Sequence, residues 1–103
     1  MILEVADLEY NLDTLEVRRG GKLLQLNPTA LKILQSLMEA SPAVVPRMDL
    51  ETRVWGEELP DSDSLRVHIH GLRAVVDKPF PIHLIQTRHG IGYRMAVPEG
   101  AAT

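Results

Sequence analysis

The chain of 103 residues has no cysteine. That absence excludes a disulfide framework and a thiolate metal site, and it suits a reducing compartment. No run is long or apolar enough to span a bilayer, and no signal-peptide pattern opens the chain. A soluble, cytoplasmic protein is therefore expected, with no membrane partner. There is also no internal repeat and no low-complexity segment. What is present is an ordinary single-domain length and 45% hydrophobic residues, enough for a real core.

The formal net charge is −3, which at first argues against a polyanionic partner. Its distribution argues the other way. Residues 1–63 carry six Lys/Arg against twelve Asp/Glu, whereas residues 64–94 carry five basic residues (Arg66, Arg73, Lys78, Arg88, Arg94) against the single acid Asp77. All four histidines, His68, His70, His83 and His89, fall in the basic segment. A local positive field matters more for anion binding than the total does.

Short extended runs fill the first quarter: Leu3–Val5, Leu8–Asn11, Leu15–Arg18 and Lys22–Leu26. Gly20-Gly21 between two of them is a hairpin signal, because glycine reaches positive φ without a Cβ clash. Asn27-Pro28 then opens a helix, Asn as N-cap and Pro at the first helical position. Its apolar residues Ala30, Leu31, Leu34, Leu37 and Met38 follow at helical spacing, and it ends near Ser41-Pro42. Val44-Val45 is a short apolar run, and Pro46 begins a second helix with Leu50, Val54 and Trp55 on one side. The acidic segment 56–63 precedes a third element, with Asp61, Ser62 or Asp63 available as its cap. The chain closes with two extended runs, His83–Thr87 and Tyr93–Val97, around the glycine-bearing turn RHGIG, and with a tail, residues 98–103, expected to fray.

The stretch Leu65–Val76, LRVHIHGLRAVV, carries an ambiguity with chemical consequences. Its first half alternates as a strand would, which would put His68 and His70 on one face as metal ligands. Over its whole length, however, Leu65, Ile69, Leu72 and Val76 fall within about 60° of one another on a helix. A capping cluster precedes it and Pro79 and Pro81 stop it. Gly71 opposes the helix by about 1 kcal/mol, which is too little to reverse the assignment. On the helix, Arg66, His70 and Arg73 share a face roughly 90° from the apolar seam, and Ser64, Val67, Gly71 and Ala74 lie beside it. His68 falls about 160° from Arg66, so it cannot pair with His70 around a metal. An enzyme or metal site on His68, His70 and His89 is thereby disfavoured, and no catalytic residue, metal or cofactor is assigned.

A helix, a short turn, a basic second helix and a hairpin form the pattern of a winged helix-turn-helix. Four blocks, LNPTALKIL, VWG, LRVHIHGLR and IQTRHGIGYR, occur in the right order for one family and span nearly the whole chain. The chain closely resembles the winged-helix effector domain of OmpR/PhoB-type response regulators of bacteria.

The resemblance implies an α+β fold over residues 1–97: a four-stranded N-terminal antiparallel sheet, three helices and a C-terminal β-hairpin. It implies sequence-specific binding of double-stranded DNA, with helix 64–76 in the major groove and the wing 85–96 at the minor groove. Arg47, Trp55, His68, Thr87 and Tyr93 fall where the family contacts phosphates. Ser64, Arg66, His70 and Arg73 fall on the recognition helix, and Arg88 and His89 on the wing, His89 replacing a usual arginine. Glu57, Glu58 and Leu59 fall in the loop that touches RNA polymerase in activators. Head-to-tail dimers on direct repeats and a receiver domain elsewhere in the full-length protein are implied as well. The chain departs from the pattern at Pro46, Arg66, His70-Gly71, Ala74–Val76 and Arg88-His89, which bears on the target sequence and not on the fold. A winged-helix protein–protein adaptor, using Trp55 and the acidic loop, is the alternative. If Arg47, Arg66, Arg73, Arg88 and Arg94 all neutralised phosphates, affinity would fall with salt at a log–log slope of about −4.5.

Overall fold

The computed structural model describes residues 1–58, 60–61 and 63–100. Four strands come first: β1 (Ile2–Val5), β2 (Leu8–Asn11), β3 (Glu16–Arg19) and β4 (Lys22–Leu24). They form an antiparallel meander in sequence order. The side-chain period of two turns Leu8, Tyr10 and Val17 into the core and leaves Glu4, Glu9 and Glu16 outside. Burial pushes the Tyr10 phenol pKa up. Gly20 and Gly21 both take positive φ, 57° and 82°, as a tight two-residue hairpin requires. Several strand boundaries shift by one or two residues from expectation, and the shift at Leu15 has a clear cause. Leu15 belongs to the preceding turn, at φ 62° and exposed, because the backbone reverses there with the Leu15 amide bonded to the Asn11 carbonyl. Apolar character placed Leu15 in a strand that the turn geometry denies it.

Helix α1 (Pro28–Ala40) starts as its sequence predicts: the Asn27 side chain accepts from the Ala30 amide at 2.8 Å, and Pro28 sits in the first turn. It buries Ala30, Ile33, Leu34, Leu37 and Met38. The two residues of β5 (Val45–Pro46) follow, then α2 (Arg47–Trp55), which buries Leu50 and Val54. The ambiguous stretch is helical: α3 runs Ser64–Val76 and buries Leu65, Ile69, Leu72 and Val76, the four seam residues. Its capping is not as anticipated. Asp63 holds the cap position but its carboxylate faces Arg66 at 3.4 Å instead of the helix amides, and Ser62 lies outside the described residues. That exposed pair contributes at most about 1 kcal/mol, so α3 is held mainly by burial of its seam.

The C-terminal hairpin pairs β6 (Ile85–Arg88) with β7 (Gly92–Met95), and β5 adds to β7 as a third, antiparallel strand. Pro46 is tolerated because β5 is an edge strand. Glycine is obligatory at 92. A Cβ there would stand 2.1 Å from the Val45 carbonyl oxygen and 2.9 Å from the Arg47 nitrogen.

A buried ionic clamp joins the two sheets and α3, and the sequence reading did not foresee it. Arg19 is only 2% exposed although it lies on a strand. Its guanidinium donates to Asp7 (3.0 Å), to Asp77 (3.3 Å) and to the carbonyls of Val76 and Ile82, and it stacks on Phe80. Asp77 in turn accepts from the amides of Leu84 (2.9 Å) and Ile85 (3.0 Å). The last residue of α3, the first strand of the wing and β3 are thereby tied at one point.

Candidate nucleic-acid interface

With the seam of α3 inward, the other positions of the helix fall into three zones. Arg66 and Arg73 project from the flank nearer the hairpin. His68 projects from the opposite flank. Val67, His70 and Ala74 are exposed between them. Between α3, the start of α2 and the hairpin turn lies an open groove of about 430 Å³, lined by Arg47, Arg66, Arg73 and Arg88. Thr87, His89 and Tyr93 complete its walls. Seven of the eleven residues expected to contact DNA are thus brought to one concave, cation-rich surface, although they come from four separate segments of chain.

Several of these side chains have prior engagements. Arg73 is half-buried instead of projecting freely. Its Nη2 donates to the Thr87 hydroxyl at 2.6 Å and to the Ile85 carbonyl at 3.2 Å, and its guanidinium lies 5.9 Å from the Tyr93 ring centre. It braces recognition helix against wing, which spacing along α3 could not reveal because the partners lie 12 and 14 residues away. Arg47 has Glu51 one helical turn on, at 3.6 Å. Arg94 donates to the Gln86 side-chain oxygen at 3.0 Å. Arg66 is 77% exposed and pairs with the similarly exposed Asp63 at 3.4 Å.

The remaining expected residues do not line this groove. Trp55, half-buried at the end of α2, packs its ring 5.7 Å from that of His68, tilted by 48°. These two form one contact joining α2 to α3. Ser64 is half-buried at the start of α3, and His70 is exposed on its outer side. His68 and His70 diverge, and among the described residues no three His, Asp or Glu side chains could hold a metal ion. Glu57 and Glu58 are exposed beyond Gly56, and Leu59 lies outside the described residues. Val67 is exposed on α3, on the side the helical spacing gave it, and one feature of the surface was missed: Ile91 is exposed at the wing tip. Its apolar character carried no signal against the core-forming residues around it.

Residues 21–95 match the family of C-terminal domains of transcriptional regulatory proteins. The chain belongs to that family. It is a winged-helix effector domain of the OmpR/PhoB response-regulator type, a regulatory and not a catalytic class. The effector domain is 32% identical over 98 residues to the transcriptional regulatory protein CusR of Escherichia coli K12, covering 94% of this chain and 43% of that one. Among solved structures it superimposes on the OmpR/PhoB homologue DrrB of Thermotoga maritima with a TM-score of 0.81 at 26% identity, over 92% of this chain and 44% of DrrB. It superimposes on the DNA-binding domain of CpxR from E. coli with a TM-score of 0.79 at 29% identity, covering 93% and 96% of the two chains. The effector domain therefore spans less than half the length of the curated relative CusR and nearly all of a separately solved DNA-binding domain.

Proposed function

We propose that this effector domain binds double-stranded DNA sequence-specifically and regulates transcription as the output of a two-component response regulator. The observation that carries this reading is the arginine-lined groove between α3 and the wing, in a chain whose family is regulatory. The likeness to a DNA-binding domain of nearly equal length supports it. An α-helix fits the major groove, and arginine recognises guanine or phosphate there. In this reading Ser64, Arg66 and His70 approach the major groove, and Arg47, Trp55, His68, Thr87 and Tyr93 approach phosphates. Arg88 and His89 carry the wing to the minor groove. Arg73 holds wing and helix at a fixed angle.

A receiver domain in the full-length protein, head-to-tail pairing on direct repeats, contact of the Glu57–Leu59 loop with RNA polymerase, and a cytoplasmic location belong to the same proposal. They rest on the family resemblance and on the short share of CusR that this chain spans. The adaptor alternative loses its main support, because Trp55 is occupied by His68 and the core instead of standing free.

Selection of bound sites from a random duplex pool, followed by a gel shift on the enriched site, tests the proposal. A reproducible motif is expected, occurring in tandem if the domains pair head to tail. Arg66→Ala should weaken the selected site by about 1–3 kcal/mol if Arg66 reads a base, and random duplex much less. No enrichment at low salt would reject the function, and equal losses on both duplexes would make Arg66 a phosphate contact.

A further inference from the structure

We propose that Arg19 and Asp77 are positioning residues for DNA binding: buried together at the end of α3, they fix the angle at which the wing and the recognition helix reach one duplex. The inference rests on the DNA-binding reading above and extends it to β3, a strand of the N-terminal sheet.

Residues 77–84, which lead from α3 to β6, form neither helix nor strand. Such a connection leaves a hairpin free to pivot about the end of the helix unless something else fixes it. Burial of Leu84, Ile85 and Met95 seats the base of the hairpin in the core, but apolar burial is not directional. The pairing of β5 with β7 is directional, and it joins the wing to the start of α2, not to α3. Arg73 does join α3 to the wing, through Ile85 and Thr87. It also lines the groove, where a phosphate can compete for its guanidinium.

Arg19 and Asp77 form a second tie, out of reach of DNA. Each is only 2% exposed, and neither lines the groove. The Asp77 carboxylate, at the residue where α3 ends, accepts from the amides of Leu84 and Ile85 at 2.9 and 3.0 Å. The Arg19 guanidinium donates to Asp77 at 3.3 Å, to the Val76 carbonyl in the last turn of α3 and to the Ile82 carbonyl on the approach to β6. Charge-assisted bonds to a planar fork are directional, so this set fixes orientation as well as distance. A rotation at the base of a hairpin displaces its tip most, and the tip carries Arg88 and His89.

Two variants test the proposal on the selected duplex, each under conditions where urea unfolding shows it fully native. Asp77→Asn keeps the size of the side chain and turns one acceptor into a donor that faces an amide. Arg19→Lys keeps the charge and loses the fork, and it carries the test should Asp77→Asn not fold. Affinity is expected to fall about tenfold, the equivalent of one hydrogen bond to a charged group, and protection of the minor-groove sugars from hydroxyl radical should disappear under the wing. Replacing Arg88 and His89 together by alanine should weaken the wild type and cost little more in either variant, whereas Arg66→Ala should cost the same in all backgrounds. Full affinity in the folded variants would overturn the proposal. So would a wing whose replacement costs nothing in the wild type, or losses at wing and helix that shrink together, the mark of a general structural role. If the wild-type protein enriches no duplex at all, the DNA-binding reading fails, and this inference with it.

Discussion

Gly92 sits where β5 comes closest to β7, and its lack of a side chain is a packing requirement and not a matter of backbone torsion. Its Cβ position is occupied by the Val45 carbonyl, which is backbone and cannot rotate away. Gly92→Ala should therefore cost on the order of 3 kcal/mol, at the upper end of overpacking effects. The comparison that isolates the cause is Gly90→Ala. Gly90 has φ 76° and open space around it, so alanine there pays only the left-handed backbone penalty of about 1–2 kcal/mol. Urea denaturation of the two variants measures the difference, and equal losses would refute the close-contact explanation. Both glycines stood out in the sequence as turn residues. Which of them carries the steric constraint was not legible, because the obstructing carbonyl belongs to a residue 47 positions earlier.

Among the polar connections that tie the wing to the rest of the domain are the Asp77 carboxylate on the amides of Leu84 and Ile85, the Arg73 guanidinium on Ile85 and Thr87, and the short strand β5. The first of these is itself held by Arg19 within the protein, where both charges are about 97–98% buried. Removing one member of a buried ion pair costs about 3–5 kcal/mol, because the other is left uncompensated. Asp77→Ala is expected to lose that amount. Arg19→Met should lose less, since Asp77 keeps its two amide donors. The double variant should lose less than the two single losses combined. Additivity to within about 0.5 kcal/mol in a urea-unfolding cycle would show that the two residues do not act together. The helices and the hairpin were legible from periodicity, capping residues and glycine positions. The clamp was not, because Arg19 occupies an inward strand position where a charge is expected to face water, and apart from Asp7 its hydrogen-bond partners are 57 to 63 residues away.

At the scale of the whole molecule, the uneven charge governs how binding responds to salt. The four arginines of the proposed interface together with Arg94 would, if all met phosphate, give a slope of about −4.5. Arg73 and Arg94 are bonded to neutral groups of their own chain, Ile85, Thr87 and Gln86. If they keep those partners on DNA, while Arg47 and Arg66 exchange Glu51 and Asp63 for phosphate and Arg88 also contributes, the slope falls to about −2.7 per domain. Measuring affinity for a single half-site from low to moderate salt decides between these values. A slope near −4.5 would mean that the two arginines exchange their internal acceptors for phosphate. A chain with formal net charge −3 and so few phosphate contacts should also bind random duplex weakly, and a base contact by Arg66 would then be a larger share of the total.

The sequence alone determined whatever depends on neighbours within a few turns: the meander and its Gly20-Gly21 turn, the Asn27-Pro28 helix start, the helical state of Leu65–Val76 and the face it buries. These follow from local backbone preference and the period of apolar residues, both of which are written in consecutive letters. It also pointed to the arginines that line the groove between α3 and the wing, because the family's blocks are contiguous. Only the tertiary structure decided which of those cations are engaged within the protein, that Arg73 braces the wing, and that Trp55 and His68 form one contact. A side chain's availability depends on which acceptors lie within about 3 Å of it, and here those acceptors come from distant parts of the chain brought together by burial of the common core.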